Sequence, residues 1–396
     1  MKLKSDRLES IDLLRGVAAL AVVFDHAIQW TERDVPSTWF KGVYSFFDYG
    51  RLGVPMFFVI SGFCIHLRWS KRFLKSGHHK VDFLSFWRRR INRLYPPYFI
   101  VLCCCMGMLL VALYLGRDVA LLRLYPEPKT HWMLVDFLEH VFMVHGFSPT
   151  FDRAGGNVPF WTLAREEYFY VLYFLLLFSR KYIGLLVTVL LVLFSGLAFP
   201  LICNFLLPAD STLRGNFITT SAIVLWIQWC LGMVAAESYC GLVKCPVWFR
   251  SRWMIVIWFL GAAFSESYFP LFSPVLWGIT FFTLLNACVE VEINHRWPRL
   301  YLVKWLSGVG IFSYSLYLVH NPIRAVLKQL LPGVGTTTNP YVLVFVVVPL
   351  VVVTSYIGAK IFFMLVESRF LNPPARDVAV MPQFPDQLRS ADAANP

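Results

Sequence analysis

An arginine and a histidine, Arg15 and His26, stand in an otherwise apolar run near the start of the chain, together with Asp12 and Asp25. A charged side chain at the centre of a membrane helix costs about 2.5–3.5 kcal/mol on insertion scales, so it faces a cavity or a partner. Asp12 and Arg15 are three residues apart and can neutralise each other on one helix face. His26 lies 11 residues beyond Arg15. That is about 16 Å along a helix, too far for the two to touch. They therefore mark two depths of one polar path. An imidazole, neutral near pH 7, is the natural group to take a proton from a hydroxyl. Near the outer interface, Asp25 and His26 can equally be solvated end groups.

Further polar groups interrupt apolar runs. Within Trp161–Tyr170, Glu166 and Tyr170 share a helix face, as do Glu167 and Tyr170, whereas adjacent carboxylates diverge by about 100°. One of them can serve a buried cavity; a wet, aromatic helix start explains the same residues without chemistry. Arg51 opens a run to Phe63 in which Gly53, Ser61 and Gly62 permit close helix approach. With no Gly-x-Ser-x-Gly elbow around it, Ser61 is expected to pack or line a pocket. In Trp87–Arg93, Arg89 and Arg90 each sit about one turn from Arg93. Planar guanidinium forks suit bidentate phosphate contact, although a positive anchor would use the same residues. Tyr317 and His320 precede Pro322, which is expected to bend its helix, and Glu367 reads as an end group after the last apolar run. The nine cysteines show no zinc-ligand spacing with histidine.

Side chains held at such depths need membrane helices to carry them. The chain is 57% hydrophobic and 15% charged, against about 25% charged residues in soluble domains. Apolar segments at 11–30, 52–67, 94–116, 160–178, 182–207, 217–237, 253–269, 271–289, 305–331 and 341–366 predict an all-α polytopic integral membrane protein of about ten transmembrane helices. The first is read as a retained span, because no small-residue cleavage pattern follows it. Alternate connections then divide Lys and Arg 23 against 8, which puts both termini in the cytoplasm. The net charge of +12 is thereby an orientation signal, and a nucleic-acid partner is not expected. Residues 1–370 form one membrane unit; 371–396, rich in Pro, Ala, Asp and Asn, read as a short disordered cytoplasmic tail.

In order and spacing, Asp12-Leu13-Leu14-Arg15-Gly16 with His26, Arg51 through Phe63, Trp87 through Pro96, Trp161 through Tyr170, Gly232-Met233 and Ser313 through His320 resemble the motifs of the membrane acyltransferase-3 family. That family includes O-antigen, exopolysaccharide and nodulation-factor O-acyltransferases. The resemblance covers nearly all of residues 7–370. It implies transfer of an acyl group, above all acetyl, from cytoplasmic acyl-coenzyme A to a hydroxyl of a cell-envelope or lipid-linked carbohydrate. It makes His26 the catalytic base, with Glu166 in support, and gives donor binding to Arg15, Arg90 and Arg93. Arg51, Ser61, Trp161, Tyr170, Tyr317 and His320 are then the substrate-binding candidates. The donor is acyl-CoA, acetyl-CoA in particular, and no metal is expected. A carbohydrate or glycolipid acceptor, membrane lipids and the cell-envelope polysaccharide machinery are the implied partners, in a bacterial cytoplasmic (inner) membrane. A transporter using the same charged groups for passage stays open, as does a donor-binding subunit without its own sugar acylation.

Overall fold

The computed structural model describes residues 7–30, 38–77, 81–117, 119–152, 154–208, 211, 216–331 and 339–371, and every regular element among them is helical. The long elements are α1 (Glu9–Ile28), α2 (Thr38–Asp48), α3 (Gly53–Ser76), α4 (Phe83–Tyr114), α5 (Lys129–Val141) and α6 (Phe160–Leu206). After the single turn α7 (Asn216–Thr219) come α8 (Ala222–Tyr239), α9 (Arg252–Tyr268), α10 (Ser273–Ile293), α11 (Tyr301–Ile311) and α12 (Ser313–Leu330). A π-helical turn then leads into α13 (Val348–Leu365).

The expected ten spans are too many. Among the described residues, six stretches are long and apolar enough to cross a membrane: Trp39–Ser76, Phe83–Tyr114, Phe160–Leu206, Phe217–Tyr239, Ser273–Ile293 and Pro340–Leu365. A seventh is added if α11 and α12, bent by 77°, count as one broken span. Three of the ten fall away for distinct reasons. The opening segment holds Asp12, Arg15 and Asp25, too many charges for lipid. The segment at 253–269 becomes a helix of only 17 residues, short of the roughly 20 that a bilayer requires. The segments at 160–178 and 182–207 belong to the continuous stretch Phe160–Leu206, which leaves helical geometry at Gly184 (φ 80°, ψ 168°). The terminal residues 1–6 and 372–396, on which the reading of cytoplasmic termini and of a disordered tail depends, lie outside the described residues.

Protein, not lipid, surrounds most of α1. It packs against α3, α10, α11, α12 and α13, and 13 of its 20 residues are buried. Close crossings explain how so many helices reach it. A Cβ on Gly16 would collide with the Leu306 carbonyl, and one on Gly310 with the Asp12 carbonyl, so α1 and α11 cross backbone to backbone. Gly62 and Gly232 perform the same reciprocal exchange between α3 and α8, against the Trp229 and Val59 carbonyls. Small residues at helix crossings replace the hydrophobic drive that lipid does not supply.

Helix starts left without intrahelical acceptors are capped by remote carboxylates. Glu292 accepts the backbone N–H groups of Glu9 and Ser10, each at 2.8 Å. Glu367 accepts the Ser315 N–H at 3.1 Å and its hydroxyl, seating the start of α12. A negative charge at a helix N-terminus satisfies orphan donors and complements the dipole. Glu367 is 2% exposed, so the reading of it as an end group is corrected. At the start of α4, Asp82 accepts from Ser85, whose hydroxyl and N–H hold the carboxyl below its usual range.

Candidate active site

A cleft of about 920 Å³, its open mouth included, lies between α1, α3, α4, α6 and the α11–α12 bend. It gathers Arg15, Ser61, Arg90, Arg93, Glu166, Tyr170 and Tyr317 from five separate helices. Arg89, one turn from Arg93, is not in its wall. Arg15 sits 3.9 Å from Asp12, which also binds Arg7, and its Nη2 donates to Cys64 Sγ at 3.4 Å. Arg90 lies 5.4 Å from the ring centroids of both Phe86 and Tyr170, within cation–π range. Arg93 keeps a buried Nε without a hydrogen-bond partner. Three guanidinium groups thus surround one opening, with Glu166 and Glu367 as the carboxylates in its wall.

Glu166 is held by two hydroxyls. Its Oε1 accepts from Ser61 Oγ at 2.5 Å and from Tyr170 OH at 2.7 Å. The second bond is the i,i+4 relation expected of one helix face; the first comes across from α3. Ser61 is therefore engaged with the carboxylate.

Farther along α1 from Arg15, Tyr317 closes the cleft, its hydroxyl 2.6 Å from Thr162 Oγ1 and donating to the Pro159 carbonyl at 3.2 Å. Behind it stands His320, with ring centroids 5.8 Å apart. His320 Nε2 is 2.8 Å from Nδ1 of His26, and the two rings lie within 13° of parallel. His320 is 1% exposed. Asp25 Oδ2 is 3.9 Å from His26 Nε2, beyond a hydrogen bond, and Asp25 Oδ1 accepts instead from Gln29 at 2.7 Å.

Pro322 explains how α12 is fixed beside this pair. Proline has no N–H, so the carbonyl of residue i−4 loses its helical donor. That carbonyl belongs to Leu318, and Asn157 Nδ2 donates to it at 3.0 Å, while Asn321 Nδ2 donates back to Asn157 Oδ1 at 3.2 Å. Asn157 is carried by Gly155 and Gly156, both at positive φ (66° and 72°), where a side chain is strained and would also strike His140 or Cys105. The Gly-Gly-Asn connection is therefore a buried brace. Beneath it His140 stacks on His145 at 3.7 Å, and burial, with His140 alongside, holds the His145 imidazole well below its ordinary range.

Two of the expected site residues are elsewhere. Arg51 pairs with Asp48 at 2.8 Å and Glu266 at 2.5 Å, tying the start of α3 to α9. Trp161 lies below the Arg165 guanidinium at 5.9 Å. Sequence reading missed Cys64 beside Arg15, Thr162 against Tyr317, and the buried group His66–Glu237–Arg180. Only Glu237 carried a signal, a carboxylate directly after an apolar run.

The bundle is all-helical, its cleft gathers Arg15, Arg90 and Arg93, and His26 near the end of α1 meets His320 of α12, a pairing that the motif order did not foretell. The family described as "Acyltransferase domain" matches residues 8–360, and the chain belongs to it. It is similar to O-acetyltransferase OatA of Staphylococcus aureus, with 23% identity over 333 residues, covering 80% of this chain and 50% of that protein. Peptidoglycan O-acetyltransferase OatA of Listeria monocytogenes is 25% identical over 334 residues, covering 79% of this chain and 49% of its own. The chain spans about half the length of the curated relatives it matches. No solved structure matches it.

Proposed function

We propose that this protein transfers an acyl group, acetyl in the first instance, from acyl-coenzyme A to a hydroxyl of a cell-envelope or lipid-linked carbohydrate, within the cytoplasmic membrane of a bacterium. One observation carries the reading: a single helix brings Arg15 to a cleft shared with Arg90 and Arg93, and His26 to a second imidazole beyond the cleft's Tyr317 wall. The arginines are suited to the phosphates of coenzyme A, which places the arginine-rich mouth on the cytoplasmic side. His26 takes the proton of the acceptor hydroxyl as its oxygen bonds to the acyl carbon. The carbon–sulfur bond breaks and coenzyme A leaves as the thiolate. Arg51 and Trp161 do not line this cleft; Ser61 and Tyr170 hold Glu166, which faces the donor cleft.

Membranes containing the protein, incubated with acetyl-coenzyme A and envelope glycans, are expected to release free thiol in step with O-acetyl ester on the glycan. Glycan movement across the membrane without ester formation would overturn the reading in favour of transport. Arg93→Gln is expected to raise the KM for acetyl-coenzyme A by about 10- to 100-fold, the worth of one hydrogen bond to a charged group at roughly 1.5–3 kcal/mol. An unchanged KM would remove Arg93 from donor binding.

A further inference from the structure

His320 stood among the substrate-binding candidates, but its two ring nitrogens are both occupied by protein. Nδ1 is 3.0 Å from the Leu316 carbonyl, one turn back on α12, and Nε2 is 2.8 Å from His26 Nδ1. A carbonyl oxygen only accepts, so the proton on His320 is on Nδ1. Nε2 of the neutral ring is then an acceptor, and the bond between the rings must be donated by Nδ1–H of His26. The second nitrogen of His26, Nε2, is left with its lone pair.

We propose that His320 is a positioning residue: through the chain Leu316 carbonyl, His320, His26, it holds His26 in the one tautomer whose Nε2 can accept a proton. The proposal rests on the acyltransferase reading above and adds to it the atom that does the work. Among the described residues, the charged groups that face the pair are Asp25, with Oδ2 3.9 Å from His26 Nε2, and Arg324. Asp25 is turned to Gln29, and Arg324, one turn beyond His320, donates to Asn321 Oδ1 at 3.1 Å and to the Gln29 carbonyl at 3.0 Å. Orientation by a partner on the far ring nitrogen is the usual means of fixing a working imidazole. Here the partner is another imidazole, and its own proton is fixed by backbone. The Asn157 brace at Pro322 adds to this by locking the turn of α12 that follows His320.

The two amide isosteres of histidine separate the proposal from packing. Glutamine places its carbonyl oxygen near the position of Nε2 and can still accept from His26; asparagine reaches only the Nδ1 position and cannot. In membranes active with the unchanged protein, His320→Asn and His320→Leu are expected to lower kcat by about 10- to 100-fold with the KM for acetyl-coenzyme A unchanged, the size of effect usual for an orienting partner. His320→Gln is expected to recover most of that loss. Equal kcat in the Asn and Gln variants would overturn the proposal, as would a rise in acceptor KM with kcat intact. Absence of ester formation by the unchanged protein would instead overturn the acyltransferase reading.

Discussion

His26→Ala is expected to lower the rate of ester formation by about 10²- to 10⁴-fold, the range that a positioned general base contributes. Donor binding should survive the change. Arg15 is about 16 Å away along the same helix, and Arg90 and Arg93 reach the cleft from α4. The substitution also leaves the packing of α1 largely alone, because the close glycine approaches that seat this helix, at Gly16, Gly50, Gly53 and Gly310, do not involve the His26 side chain. A correctly inserted His26→Ala protein should therefore bind acetyl-coenzyme A with unchanged affinity, measured by competition with a labelled donor analogue, yet show almost no transfer. Normal transfer by that variant would remove His26 from the chemistry. Loss of donor binding together with transfer would mean that the two depths of the helix are not separate stations.

The separation of Arg15 from His26 was legible in the sequence because two polar residues on one helix carry their own ruler. Their 11-residue separation fixes a distance whatever the rest of the fold does. The Glu166–Tyr170 contact was legible for the same reason, since an i,i+4 pair needs only a helix. What crosses between helices was not. Ser61 was read as packing or lining, and its bond to Glu166 depends on how α3 lies against α6. His320 was assigned to substrate, and its contact with His26 depends on the register of α12 against α1. Hydropathy misled in a related way. It reports how apolar a segment is and not what surrounds it, so α1 was counted as a membrane span when neighbouring helices bury most of it. Likewise Arg51 opens the α3 run but turns away from the cleft to meet Glu266, 215 residues later. Nothing local to Arg51 specifies that partner.

The group His66–Glu237–Arg180 is a buried charge cluster whose loss should be felt in stability. Glu237 is fully buried; it meets Nε2 of His66 at 2.9 Å and accepts from Arg180 through both guanidinium Nε and Nη2, the latter at 2.8 Å. Arg180 is further covered by the Trp69 ring at 4.6 Å, and the far nitrogen of His66 meets Tyr173 OH at 3.1 Å. Removing one member of a buried ion pair leaves the other charge uncompensated, at about 3–5 kcal/mol, whereas replacing the whole group by apolar side chains of similar volume is often neutral or favourable. Glu237→Ala is accordingly expected to lower the thermal unfolding temperature of the detergent-solubilised protein sharply. The combined change His66→Leu, Arg180→Met and Glu237→Met should recover most of the loss, although it removes more native contacts. This ordering distinguishes a desolvation penalty from a simple sum of bonds. A triple variant less stable than Glu237→Ala alone would mean that the ion pair is itself a net source of stability joining α3, α6 and α8, and that the cost of burying its charges is more than repaid.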